Sequence, residues 1–441
     1  MAGQPWTPRP GHGPSRIRTH LLPVVLLSVS LSAAALEPPY ESLNTATLLP
    51  ERVMSGPDYR ILPEVVNRGL MNHYLIDTDY GSMRARSDRN LQQRLREIRA
   101  LRELDRMHEA RLVAESVGRT FVGTARSVAR VIKDPVGTAD SVQQGIHRLM
   151  RRGGRKIRNA YDDVRNSVSG NDGDGTAEPG PDLSDKAIQA GRTFARNRLG
   201  VSRAYRELAR EVGIDPYTDN GLLRAELNRL AGHSAGASLG SRLVIPRIPG
   251  LIGAVENVSD LVWSKDRLDL LLHNEDVLAG LPVPEPVARR FIENEAYSPT
   301  QQTAIVAALE SLRHVANHWR LLEYAGHADS LSEADFYTDM IGLLALYHET
   351  RAPLDTIHPT ATIVPVAVTD DHRSVAAFPV DRFRWTRDVD GIVAALTASP
   401  IGQSGHREIW ITGVVSEQAD TGLSGYGWIP YTRAHQRLRT R

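Results

Sequence analysis

Apolar positions recur at helical spacing along most of the chain and alternate only near its two ends. Leucine and isoleucine residues on one side of a highly charged segment predict an amphipathic helix; they are Leu91, Leu95, Ile98, Leu101 and Leu104. A second stripe from Val117 to Leu149 predicts further amphipathic helix, which Asp134-Pro135 should break or kink.

Short β-type segments flank this helical part of the chain. "YRILPEVV" and "MNHYLIDT" are separated by Asn67-Arg68-Gly69, which predicts a small hairpin or three-stranded unit near the N-terminus. After Pro353 the hydrophobic period changes from 3.6 to 2, and "REIWITGVVS" is typical of a buried strand. We expect a small α/β unit over residues 356–430.

The segment between these ends predicts a helical domain over residues 186–355. Gly213 should end one helix, and Asp219 or Asn220 can cap the next. Ser298, Pro299 and Gln301 form a capping-box pattern. The predicted fold is therefore α+β and mainly α-helical, with an N-terminal β-hairpin unit, long amphipathic helices, a helical central domain and a C-terminal α/β unit.

The remaining segments are predicted from composition. Residues 1–35 have the basic, apolar and small-residue order of a secretory signal cleaved near Ala35, which predicts export to the periplasm or beyond. Residues 36–57 indicate a flexible leader, and the hairpin and long helices fill 58–166. Residues 167–185 indicate a disordered linker, and 431–441 a basic tail. No later apolar run is long enough to span a bilayer, so we expect no transmembrane span in the mature protein.

The composition of the chain argues against several classes of function. The chain has 441 residues, a formal net charge of +1 and no cysteine. Near neutrality argues against a dedicated nucleic-acid binder, since such domains are usually strongly basic. Absence of cysteine excludes disulfides, thiol catalysis and thiolate zinc sites. No motif predicts a cofactor.

Three segments carry a resemblance to a known group of proteins. They are "GIDPYTDNGLLRAEL", "DPVGT" and "YSPTQQTAIVAALE". Over about residues 58–400 the chain resembles a family of uncharacterised secreted bacterial proteins with a DPYT-x-N motif. The resemblance implies export and supports the segment boundaries. It implies no activity, cofactor or catalytic residue.

Ser234 lies in "GHSAG", which has the G-x-S-x-G spelling of a hydrolase nucleophile elbow. An elbow needs a strand that enters the turn, whereas the residues before Gly232 predict an amphipathic helix. We favour a helix end followed by small residues that pack closely. A serine hydrolase that uses Ser234 is the main alternative function.

His314 and His318 are four residues apart on a predicted helix, so both rings could face one metal ion. The residues between them are Val315, Ala316 and Asn317, so the glutamate of H-E-x-x-H is missing. We favour two half-exposed histidines on a helix, and keep a metal-dependent enzyme as the second alternative.

A basic cluster follows the second apolar stripe. Its members are Arg148, Arg151, Arg152, Arg155, Lys156 and Arg158. With the stripe before them, they suit an anionic membrane surface or a protein partner, although a solvated helix face is equally compatible with the pattern. The favoured function is therefore that of an exported envelope protein with a non-catalytic structural or interaction role.

Overall fold

The computed structural model describes residues 34–117, 203–231, 255–399 and 405–439. They belong to one unit that begins at Ala34. Helices and sheets are mixed throughout these residues, which confirms the α+β class.

Six antiparallel strands form the N-terminal sheet, in the order β1-β4-β5-β3-β2 with β6 also paired to β5. They are β1 (Tyr40–Asn44), β2 (Ser55–Gly56), β3 (Tyr59–Ile61), β4 (Glu64–Arg68), β5 (Met71–Thr78) and β6 (Met83–Ala85). The predicted hairpin is β4 and β5. Its turn residues Gly69 and Leu70 have φ of 59° and 68°, as a type I′ turn requires.

Residues 36–57 are not the expected flexible leader. Strand β1 pairs with all of β4, and two short helices follow, α1 (Thr45–Leu48) and α2 (Glu51–Met54). The Glu37 carboxylate accepts hydrogen bonds from the Trp385 N–H at 2.6 Å and the Ser416 hydroxyl at 2.5 Å. The groups that order this segment come later in the chain, so its own composition did not reveal them.

Helix α3 (Asp88–Val117) packs its predicted apolar stripe against the N-terminal sheet, with each of the five stripe residues at most 5% exposed. Helices α4 (Arg203–Glu211) and α5 (Gly221–Ala231) complete this first core with buried residues such as Tyr205 and Leu227. Burial of each large apolar side chain contributes about 1.5–3 kcal/mol. The apolar residues of the sheet and of the three helices therefore form one core.

Six further helices follow along the chain. They are α6 (Val255–Ser264), α7 (Arg267–Ala279), α8 (Glu285–Ile292), α9 (Pro299–Ser311), α10 (Arg320–Ala325) and α11 (Leu331–Thr350). Helix α9 begins with the predicted capping box, in which Ser298 and Gln301 each accept a hydrogen bond from the other's backbone N–H. Helix α11 is buried along most of its length. Its apolar residues belong to a second core, which also contains residues of the C-terminal part of the chain.

The C-terminal sheet has the order β13-β11-β9-β8-β7, with β9, β11 and β13 parallel and β7 and β8 antiparallel. The C-terminal strands are β7 (Leu354–His358), β8 (Val366–Thr369), β9 (Ser374–Phe378), β10 (Arg382–Phe383), β11 (Arg407–Ile411), β12 (Val414–Val415) and β13 (Trp428–Tyr431). Strands β10 and β12 form a separate parallel pair. Helices α12 (Arg387–Ala398) and α13 (Glu417–Gly425) connect the parallel strands, as expected for an α/β unit.

The described residues of the expected helical domain over 186–355 belong to three apolar clusters, two of which are the first and second cores. Helices α4 and α5 pack with the N-terminal sheet, whereas residues of α7 to α11 share the second core with the C-terminal sheet. Within the predicted basic tail, α14 (Ala434–Arg439) buries Leu438 against the second core. Helical periodicity identifies an apolar face but not the sheet against which it packs.

Across the described ranges, no helix combines the length and apolar character needed to cross a membrane.

Candidate functional site

Two of the sites proposed from the sequence, Ser234 and the basic cluster from Arg148 to Arg158, lie outside the described residues. His314 and His318 are described, but they are not on a helix, because α9 ends at Ser311 and α10 begins at Arg320. The His318 ring is 2% exposed and its Nδ1 donates to the Val315 carbonyl at 2.9 Å. Burial lowers the pKa of His318.

No group of three or more His, Asp or Glu side chains in the described part of the chain is placed to hold a metal ion. The short-range contact of His318 with its own turn gives this side chain a local packing role. Neither histidine lines the pocket described next.

A pocket of about 80 Å³ lies where the first core meets α9 and α11. Its walls come from residues 86–97, from the α4–α5 loop (residues 212–220), and from the first turns of α9 and α11. The DPYTDN segment and the YSPTQQ segment both contribute to these walls.

The α4–α5 loop is shaped by its own side chains. Gly213 ends α4 with φ of 71°. Asp215 Oδ1 accepts from the Tyr217 N–H at 2.8 Å, and the Asp215 carbonyl accepts from the Thr218 N–H at 3.2 Å. Asn220 caps α5 by accepting from the backbone N–H groups of its first turn. Asn220 is thus the cap, and Asp219 is available for another role.

Glu97 of α3 fastens this loop to the first core. Its carboxylate, 2% exposed, accepts from the Thr218 hydroxyl at 2.6 Å, from Asn220 Nδ2 at 2.9 Å and from Gln93 Nε2 at 3.1 Å. Arg94 forms an ion pair with it at 2.7 Å. Such a buried carboxylate is tolerated because all its neighbours satisfy it.

Asp219 lies between two guanidinium groups. Arg86 Nη1 is 3.1 Å and Arg94 Nη2 is 2.7 Å from its carboxylate oxygens. Burial by itself would raise the pKa of Asp219, but the two arginines outweigh burial and lower it to about 2. Asp219 is therefore ionised at neutral pH and already paired with its counter-charges.

The same network continues to α11. Asp335 accepts from Gln301 Nε2 at 2.8 Å and pairs with Arg86 at 3.3 Å and Arg89 at 3.9 Å. Arg89 also forms a close ion pair with Asp339. These contacts join the first core to α9 and α11 with side chains that already have their counter-charges.

Asp215 differs from these acids, because it forms no ion pair within the described residues. Its Oδ1 accepts from the Thr300 hydroxyl at 2.7 Å as well as from Tyr217, while Oδ2 accepts no hydrogen bond from a described residue. Burial raises the pKa of Asp215 to about 6, and the nearby charges of Glu97 and Asp219 act in the same direction. The two hydrogen bonds to Oδ1 oppose this rise without cancelling it.

Arg96 is the corresponding cation on the pocket wall. It is half-buried and forms no hydrogen bond or ion pair with any residue that the structure describes. Burial lowers the pKa of Arg96, and the positive charge of Arg99 adds to this effect. Among the described residues, the pocket thus presents one acid and one cation without an ion-pair partner, on walls whose other charged groups are paired.

A second polar contact joins the two cores at the carboxyl end of β9. Asp381 Oδ2 accepts from the backbone N–H groups of Asn72 at 2.8 Å and Asp88 at 3.1 Å. Asp88 in turn accepts from the Tyr74 hydroxyl at 2.5 Å. Burial, followed by the charge of Asp88, raises the pKa of Asp381 well above its ordinary value. Asp381 has a joining role, because both donors to it are backbone groups that it caps.

The sequence did not reveal this pocket. The Asp-Pro turn and the Asn cap were visible in "GIDPYTDN", as was the capping box at Ser298. The arginines and glutamate of α3 were not identified, because a charged helix face has the same pattern whether water or distant acids surround it. The only signal was that the DPYTDN and YSPTQQ segments both carried the family resemblance.

Comparison of the chain with family models, with curated proteins and with solved structures gave no match. Function is therefore inferred from the chain's own residues.

Proposed function

We propose that this chain is an exported protein that acts by binding, and that the pocket beside the α4–α5 loop accepts a small polar molecule. The observation that carries the proposal is a pocket of about 80 Å³ whose walls are fixed by ion pairs. A polar site whose groups are already oriented loses little conformational entropy when a ligand enters. Binding is favoured over catalysis because the acids and bases of the walls are mostly neutralised by one another.

The pocket can be tested by blocking it. Leu331, the first residue of α11, lines it, so a Leu331→Trp variant should fill it, whereas Leu331→Met keeps the side-chain volume and serves as the control. Saturation-transfer NMR with a panel of small polar solutes should detect at least one solute that binds the natural protein and Leu331→Met but not Leu331→Trp. A panel with no such solute contradicts the proposal.

Export rests on residues 1–35, which have the order of a secretory signal. Cleavage after Ala35 would leave Glu37 and its contacts to Trp385 and Ser416 intact. Mass spectrometry of the protein from its native host should find an N-terminus near Leu36. Mature protein that begins at Met1 contradicts export by this route.

The basic cluster supports a second contact, with an anionic membrane surface. Six positive charges from Arg148 to Arg158 without an intervening acid follow an apolar stripe. Each basic residue near such a surface contributes about 1 kcal/mol, and salt screens the attraction. The mature protein should sediment with phosphatidylserine vesicles at low salt and much less at high salt. A variant with all six residues changed to Gln should not sediment, and equal sedimentation of the two proteins contradicts this contact.

A further inference from the structure

We propose that the molecule bound in the pocket is a free amino acid, whose carboxylate pairs with Arg96 and whose ammonium group pairs with Asp215. This inference rests on the proposed binding function of the pocket and specifies its ligand class.

Most charged side chains on the pocket walls already have a counter-charge. The charged side chains that line the pocket with an ion-pair partner already in place are Arg86, Arg89, Glu97, Asp219 and Asp335. Only Arg96 and Asp215 line it without an ion pair in the part of the chain that the structure describes. A ligand with one negative and one positive group is the class that gives each of them a counter-charge.

Asp215 can accept further hydrogen bonds at one of its two carboxylate oxygens. Its Oδ1 already accepts two hydrogen bonds, from Tyr217 and Thr300. Its Oδ2 accepts no hydrogen bond from the described residues. This oxygen is not one of the fully buried polar atoms that lack a partner. A primary ammonium group carries three donors, so it can satisfy this oxygen directly.

The charges around Asp215 and around Arg96 are of opposite sign. Glu97 and Asp219 both act on Asp215 with negative charge, which favours a cation at that side of the pocket. Arg99 acts on Arg96 with positive charge, which favours an anion at the other. Burial makes the charged forms of Asp215 and Arg96 unfavourable, and a bound counter-charge would relieve that effect at both groups.

The pocket is small but larger than a single water site. Its volume of about 80 Å³ is several times the roughly 10–15 Å³ that one water molecule requires. That space suits a single compact molecule with its two charges close together. A peptide, whose terminal charges are far apart, cannot place both within it.

The experiment compares three equimolar mixtures in thermal unfolding of the mature protein. One contains small free L-amino acids, the second contains the matching amines that lack the carboxylate, and the third contains the matching carboxylic acids that lack the amine. We expect the amino acids to raise the melting temperature by about 2 °C or more at saturating concentration, and neither of the other mixtures to do so.

Two variants assign the contacts. Arg96→Gln and Asp215→Asn should each abolish the response to amino acids, while circular dichroism shows that they are folded. The control is Arg106→Gln, which changes an exposed arginine of the same helix and should keep the full response.

The outcomes separate the ligand class from the pocket. If amines or carboxylic acids alone raise the melting temperature of the natural protein but not of Leu331→Trp, the pocket binds a ligand and the amino-acid assignment is overturned. If the amino acids stabilise both variants as well as the natural protein, the assignment is also overturned. If no mixture acts and the solute panel finds no binder, both proposals fail.

Discussion

Two aspartates of the α4–α5 loop, four residues apart, are in opposite electrostatic situations. Asp219 pairs with Arg86 and Arg94, and its pKa falls to about 2. Asp215 has two hydrogen-bond donors but no cation paired with it among the described residues, and burial raises its pKa to about 6. Hydrogen bonds alone therefore do not replace a counter-charge at this depth, and the two ends of the loop have different roles.

The Asp219 end of the loop, the fastened side, is held to α3 and Arg86 by ion pairs. At the Asp215 end, the open side, the carboxylate can still pair with a bound cation. On the fastened side each carboxylate or guanidinium group gains from folding, since its partner is in place. On the open side, folding makes the charged form of Asp215 less favourable, because burial removes the carboxylate from water and no described cation pairs with it. A strongly shifted carboxyl with a named physical cause in a pocket is a candidate for ligand binding.

The largest expected effect is on the fastened side, at Glu97. Glu97→Ala removes the acceptor shared by Arg94, Thr218 and Asn220 and leaves a buried guanidinium group with fewer partners. We expect the free energy of unfolding to fall by about 3–5 kcal/mol. Urea unfolding measures it, and Glu103→Ala, which removes the partner of the exposed Arg106, should cost less than about 1 kcal/mol. Equal losses in the two variants would show that the network does not hold the loop.

Asp219→Asn should have a smaller effect that depends on pH. The folded pKa of about 2 lies below the ordinary value of 3.8. The stability that the carboxylate contributes is therefore present above pH 3.8 and is lost as the pH falls towards 2. We expect the variant to be about 2 kcal/mol less stable at pH 7. The difference should shrink below pH 4 in chemical unfolding at a series of pH values, and a difference independent of pH contradicts this assignment.

The contrast between the two ends of the loop also marks what the sequence could reveal. Local patterns identified the stripe of α3, the β4–β5 hairpin and the Ser298 capping box, because each depends on neighbours within a few residues. The partners of Arg86 lie 133 and 249 residues away in the chain, so no window around α3 contains them. The same limit explains residues 36–57, whose strand β1 is ordered by β4 and whose Glu37 is held by Trp385 and Ser416.

The contribution of Asp215 to the free energy of unfolding should depend on pH in the opposite sense to that of Asp219. The folded pKa of Asp215 is raised, so the natural protein loses stability as the pH rises from 3.8 to 6, with no further loss above 6. Asp215→Asn keeps the Oδ1 acceptor and removes the charge. We expect a gain on the order of 1–2 kcal/mol at pH 7.5, in the absence of ligand, and no gain at pH 4. A loss at pH 7.5 would mean that the hydrogen bonds from Tyr217 and Thr300 require the charged form.

Arg96→Gln should change the stability least, and that small effect is the sharpest test of the distinction between the two sides. Arg96 and Arg94 lie two residues apart on α3, but in the part of the chain that the structure describes only Arg94 contacts acids, Glu97 at 2.7 Å and Asp219 at 2.7 Å. Arg94→Gln should therefore lower the free energy of unfolding by about 2–4 kcal/mol, because it leaves Glu97 buried with its charge uncompensated. Arg96→Gln breaks no ion pair among the described residues and should stay within about 0.5 kcal/mol of the natural protein. Parallel urea titrations at pH 7 decide the matter. A large loss for Arg96→Gln would mean that this guanidinium group is already paired within the fold, and it would then have no charge to offer a ligand.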